Sequence, residues 1–168
     1  GWALERRKQS AGIATALPFP SREHELWRRT DFRTIEAALS ELDPFSTGPQ
    51  ARNLDDLPAA LIARLAEGGA TALIAQRGSD VVLEQTHPDL AKAGVIVCST
   101  ERALREHAPL LERRLGSLID PDYDRWSALS EALRSGGAFV SVPDGVEAAV
   151  PVRSLHWIDG GGRLVAPH

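Results

Sequence analysis

Apolar residues fall into short runs along this chain, and the spacing within the runs changes from region to region. Residues 1–20 show no clean period and end in the extended Leu17-Pro-Phe-Pro20, which predicts a flexible N-terminal segment. From Ser21 the spacing turns helical. Ser21 can cap, Glu23 and Glu25 suit the positive end of a helix, and Leu26 and Trp27 begin an apolar stripe. The break near Thr30 and Asp31 predicts a second short helix carrying Phe32, Ile35, Ala38 and Leu39. Asp43 to Gln50 reads as a loop, rich in Pro and Gly. Asp56 then caps a helix running to about Glu67, with Pro58 in its first turn and Gly68-Gly69 at its end.

A β region follows. Residues 71–76 and 80–85 are apolar runs around Arg77-Gly-Ser79, a hairpin pattern, and residues 94–99 form a third, β-branched strand. Thr100 caps a helix over 101–107, and another runs from Pro109 to about Leu115. After a loop at 119–124, Asp124 or Asp120 caps an amphipathic helix with Trp126, Leu129 and Leu133. Gly136-Gly137 end that helix, Ala138–Val142 is a strand, and Pro143-Asp-Gly145 turns it. Val146 to His168 is short β pieces and glycines with no helix signal, a strand ladder only begun. The sum is an α+β chain, with N-terminal helices and a small mixed β region.

Composition narrows the possible functions. The 168 residues are 43% hydrophobic and 25% charged, the balance of a globular chain. A net charge of -4 gives no sign of a general nucleic-acid binder. The arginines at 28, 29, 33, 113 and 114 sit among acids, as on solvated helix faces. The single cysteine, Cys98, excludes an intramolecular disulfide and fits a reducing compartment. No apolar run approaches the roughly 18 residues of a membrane span. The chain has no methionine, even at position 1, and reads as a piece of a longer protein.

Each chemical motif fails on inspection. Gly136-Gly137 lies between a helix and a strand, the reverse of a dinucleotide loop, and no Gly-Lys pair exists for a phosphate loop. Ser135 and Ser141 lack the G-x-S-x-G elbow. His24-Glu-Leu-Trp-Arg28 puts a guanidinium where a zinc helix needs a second imidazole. The histidines at 24, 87, 107, 156 and 168 are scattered. Asp120, Asp122, Asp124 and Glu131 match the acids of a calcium loop, but Arg125 stands where that loop needs Gly. Cys98 ends an apolar strand and reads as a small buried hydrophobe. Trp27 and Trp126 fall on apolar helix faces, while Trp157 could face a packing partner outside the chain. No catalytic, cofactor-binding or metal-binding residue is assigned.

Three segments in order carry a resemblance. Residues 22–32, REHELWRRTDF, combine acids with W-R-x-T-D. Residues 103–129 contain an acidic helix pair, Gly116-Ser-Leu-Ile-Asp-Pro121 and an aromatic-Ala-Leu helix. Residues 128–152 lead an Ala/Leu helix through Ser135-Gly-Gly137 to a strand ending Val142-Pro-Asp-Gly-Val146. Together they resemble the SufB/SufD family of iron–sulfur cluster assembly scaffolds, and the short N-terminal layout is nearer to SufD. Departures are Asp144, often Lys in that family, and Ser141, often aromatic.

The resemblance implies a non-enzymatic scaffold subunit. It acts in the cytoplasm, with a SufB/SufD-like partner and the ABC-type ATPase SufC, and without nucleic acid or membrane. It also implies an organisation: a flexible segment over 1–20, an N-terminal α+β domain over 21–135, and the first strands of a truncated β-helix core over 136–168. The iron–sulfur cluster belongs to the full assembly, and its handling residues lie beyond residue 168. The alternative reading is a stand-alone interaction domain that pairs through its exposed β edge. A small hydrolase or metal enzyme built from scattered His and Asp has no support in the spacing.

Overall fold

Strand β1 (Ala72–Arg77) opens with the apolar run Ala72-Leu-Ile-Ala75, as suits a strand with both edges and both faces covered. Strand β2 (Asp80–Gln85) pairs antiparallel on one side, from Leu73↔Gln85 to Arg77↔Asp80, as the hairpin pattern predicts. On the other side strand β5 (Val152–Trp157) runs parallel, from Ala72↔Val152 to Arg77↔Trp157. The computed structural model describes residues 1–30, 32, 53–67, 69, 71–77, 80–134 and 136–157. The tail therefore completes an earlier sheet, where its own sequence suggests a new ladder. Strands β3 (Ile96–Ser99) and β4 (Ala138–Ser141) form a separate antiparallel pair, Ile96↔Ser141 to Ser99↔Ala138. A Val146 N–H to Pro143 C=O bond of 3.1 Å closes the expected turn after β4.

Alternation along β1 builds two cores. Ala72 and Ile74 pack with Leu90, Val95 and Val97. Leu73 and Ala75 pack with Leu57 and Val82, flanked by Ile62, Leu65, Leu155 and Trp157. Trp157 thus has a packing partner within the chain. The arrangement is α+β.

The helices depart more often from expectation. Residues 1–20, read as flexible, contain helix α1 (Trp2–Ala16), with only Ser10 and Ala14 buried. Its sequence is rich in helix formers but has no apolar stripe, so periodicity passes over it. Residues 21–30, read as a helix, hold only a 3₁₀ turn at Glu25–Trp27. Ser21 Oγ accepts from Glu23 N–H at 3.2 Å and closes a local turn instead of capping a helix. The helix expected after Asp31 and the loop at 43–50 lie outside the described residues, Phe32 apart.

Helix α2 (Ala59–Ala66) starts after Pro58, and Asp56 falls in a preceding 3₁₀ turn where Asn53 caps Asp55 N–H at 2.9 Å. The short helix α3 (Pro88–Lys92) was not expected; His87 caps it and Leu90 is fully buried. Ser99, one residue before the expected Thr100, caps α4 (Thr100–Glu106) by accepting from Arg102 N–H. Helix α5 (Ala108–Arg114) matches its expectation. Asp124 caps α6 (Arg125–Leu133), accepting from Ser127 N–H at 2.7 Å.

Candidate functional site

The glycine pair sits at a crossing point. Helix α6 ends at Leu133 with Arg134 as its C-cap, so the glycines lie past the C′ position assigned to them. Gly137 has φ 125 and its C=O accepts from Thr100 N–H at 2.8 Å. A Cβ on Gly137 would lie 3.1 Å from Thr100 Oγ1. The glycine lets β4 enter beside the start of α4, a close-approach role in place of a helix stop.

Next to it, Glu84 of β2 ties the hairpin to α4. Its carboxylate accepts from Ser99 N–H at 2.8 Å and from Arg102 Nη1 at 3.2 Å, while Arg102 Nε donates to Glu106 at 2.9 Å. Burial pushes the Glu84 carboxyl up, but hydrogen bonding from Ser99 and Arg102, with the Arg102 charge, outweighs it, and the net shift is downward. A depressed folded-state value means stability present above the unfolded value and lost as pH falls through the folded one. The stability gap between wild type and Glu84→Gln should therefore be widest at neutral pH. Denaturant melts at neutral pH and at pH about 3 should show it shrink on acidification. A constant or widening gap would contradict this role. Nothing in the sequence singled out this contact, since β2 also carries the polar Asp80 and Gln85.

Cys98 of β3 is 2% exposed, and burial followed by the Glu84 charge pushes its thiol up. It packs with Ala103 and Leu111 as an inert small hydrophobe. An aromatic disulfide reagent should react with the native thiol at least about 100-fold more slowly than with the denatured chain. Comparable rates would show that the thiol is accessible.

The acids of the calcium-like stretch do not converge. Asp124 is used as a helix cap, and Glu131 pairs with Arg134 at 3.0 Å and Arg6 at 3.3 Å. Among the described residues no three His, Cys, Asp or Glu side chains form a metal-holding group. His24 and Arg28 lie in the turn region, with Arg28 paired to Glu25. Ser141 ends β4 in register with Ile96, and Ser135 and His168 lie outside the described residues.

What the structure does bring together is aromatic. Phe32 stacks on Trp126 at 5.8 Å, Trp27 meets Phe32 edge-on at 5.4 Å, and Phe19 lies 5.2 Å from Trp126. The Arg125 guanidinium covers Phe19 at 3.9 Å and donates to Leu17 C=O. An open groove of about 560 Å³ runs beside this cluster, lined by Pro18, Phe19, Leu26, Trp27 and Tyr123. The W-R-x-T-D stretch and the aromatic-Ala-Leu helix, nearly 100 residues apart in sequence, thus share one packing unit. No helix among the described residues is long and apolar enough to cross a membrane.

Known proteins agree with these segments. No family model matches the chain. It is 32% identical over 171 aligned residues to an iron–sulfur cluster assembly SufBD family protein of Mycobacterium tuberculosis, covering 94% of this chain and 19% of the relative. The iron–sulfur cluster assembly protein SufB of Bacillus subtilis is 32% identical over 51% of this chain and 18% of the relative. A chloroplastic SufBD family protein of Arabidopsis thaliana is 33% identical over 57% of this chain and 17% of the relative. The chain spans about a fifth of the length of these relatives. It belongs to the SufB/SufD family of iron–sulfur cluster assembly proteins.

Proposed function

We propose that this chain is the N-terminal part of a SufB/SufD-type scaffold subunit that supports iron–sulfur cluster assembly without catalysing a reaction itself. The observation that supports it best is the match along 94% of the chain to a protein named for that process. In this reading the subunit works in the cytoplasm with a second SufB/SufD-like subunit and an ABC-type ATPase. Residues 136–168 lead toward a β-helix core that handles the cluster, and this region supplies packing and docking surface. Within the family, a SufD-type subunit is one reading. The name of the Bacillus relative supports the SufB side, so the proposal is framed for the family.

The test is co-expression of the full-length gene product with a SufC-type ATPase and the opposite SufB/SufD-type subunit. Co-elution as one complex, and recovery of iron–sulfur enzyme activity in a strain lacking the native scaffold, are expected. Full-length protein that neither co-elutes nor restores activity would refute the proposal. The alternative of an interaction domain pairing through its β edge draws on β5, which among the described residues pairs with β1 alone. It predicts partner binding without any rescue of cluster assembly.

A further inference from the structure

Helix α1 rests on α6 through an interface whose buried residues are small. Ser10 and Ala14 are its buried residues, and Ala128 is the buried residue of α6. The remaining grip is polar. Arg6 Nη2 donates to Gly116 C=O at 2.7 Å, and Arg7 Nε donates to Ala132 C=O at 3.0 Å. Arg6 Nε and Arg134 Nη2 both approach Glu131 Oε1, at 3.3 and 3.0 Å.

Four buried side-chain atoms on these two helices and the residue closing α6 have no protein partner. They are Ser10 Oγ, Arg125 Nε, Trp126 Nε1 and Arg134 Nε. Among the described residues no such atom belongs to α2, α3, α4 or α5. A buried polar group without a partner is costly, and small residues such as Ser and Ala return little apolar burial to offset it. Two aromatic contacts anchor the ends of the segment. Trp2 packs against the Cys98, Ala103 and Leu111 cluster, and Phe19 lies beneath Arg125. Helix α1 adds no residue to either core flanking β1.

We propose that α1 is a latch. It leaves α6 as one unit, letting water reach the orphaned polar groups and uncovering Glu131 and Arg134, while both sheets stay folded. Hydrogen exchange on the full-length protein tests this. Amides of residues 6–16 should exchange at one shared rate, at least tenfold faster than those of Leu73 to Ala75. Simple fraying from the N-terminal end of the helix would instead give protection rising steadily toward residue 16. That gradient, or protection equal to β1, would overturn the proposal.

Ser10→Ala removes an orphaned hydroxyl and should slow α1 exchange about fivefold or more. Gln9→Ala, at an exposed position, controls for the helix propensity of alanine. Equal effects of the two variants would sever the link between opening and the buried polar atoms.

Discussion

Replacing Ile74 with alanine should lower the unfolding free energy by about 3 kcal/mol, toward the middle of the range for large-to-small core changes. Ile74 is fully buried in the middle of the central strand, against Leu90 of α3 and Val95 and Val97 beside and within β3. Those neighbours come from separate elements that meet around this one side chain, so the cavity cannot close by moving one of them. Urea unfolding should show a lower midpoint with an unchanged slope. Val140→Ala on β4, where the side chain is 44% exposed, should change stability by less than about 0.5 kcal/mol. A loss below about 1 kcal/mol for Ile74→Ala would mean the core around β1 is not packed as described.

Gly137→Ala should be the second large effect, about 3 kcal/mol. A φ of 125 is a conformation that side-chain-bearing residues pay roughly 1–3 kcal/mol to adopt. The new Cβ would also crowd Thr100 Oγ1 at 3.1 Å. Relief by moving β4 away would strain the Thr100 N–H to Gly137 C=O bond that joins the two elements. Gly145→Ala is the matched comparison. Its φ of 76 is also positive, but nothing lies within 4 Å of the new Cβ, so the cost should be about 1 kcal/mol. Thermal or urea melts of the two variants give the answer. Equal losses would show that close packing at Gly137 contributes nothing beyond backbone strain.

The Gly137 result bears on the family signature. Ser135-Gly-Gly137 is part of the resemblance to SufB/SufD proteins, and its second glycine is where β4 meets the start of α4. The aromatic cluster gives the W-R-x-T-D stretch a comparable reason, since Trp27 meets Phe32, which stacks on Trp126 in the helix after the Gly116–Pro121 loop. These motifs hold distant pieces of backbone together. In this structure they do so by packing, and Cys98, buried and with its thiol shifted up, is packed likewise.

Local signals were enough for much of the chain. The hairpin of β1 and β2, the strand before α4, the α5 and α6 helices, the Asp124 cap and the turn after β4 were all legible, because each depends on neighbours in sequence. The family was legible too, since its motifs are strings of residues. Caps shifted by a residue or two, as at Ser99, because Ser and Thr in adjacent positions are equally suited to the role.

What the sequence could not determine alone depended on remote partners. Helix α1 lacks an apolar stripe, and its position on α6 rests on Arg6 and Arg7 reaching backbone and acid more than 100 residues away. The apolar positions after Ser21 suggest a helix, yet Trp27 is drawn to Phe32 and the chain takes a 3₁₀ turn. The end segment looked like the opening of a new ladder because a strand's own residues do not say which edge it will join. Tertiary structure assigned β5 to the free edge of β1, where parallel hydrogen bonds and the burial of Val152, Leu155 and Trp157 complete a sheet begun 80 residues earlier.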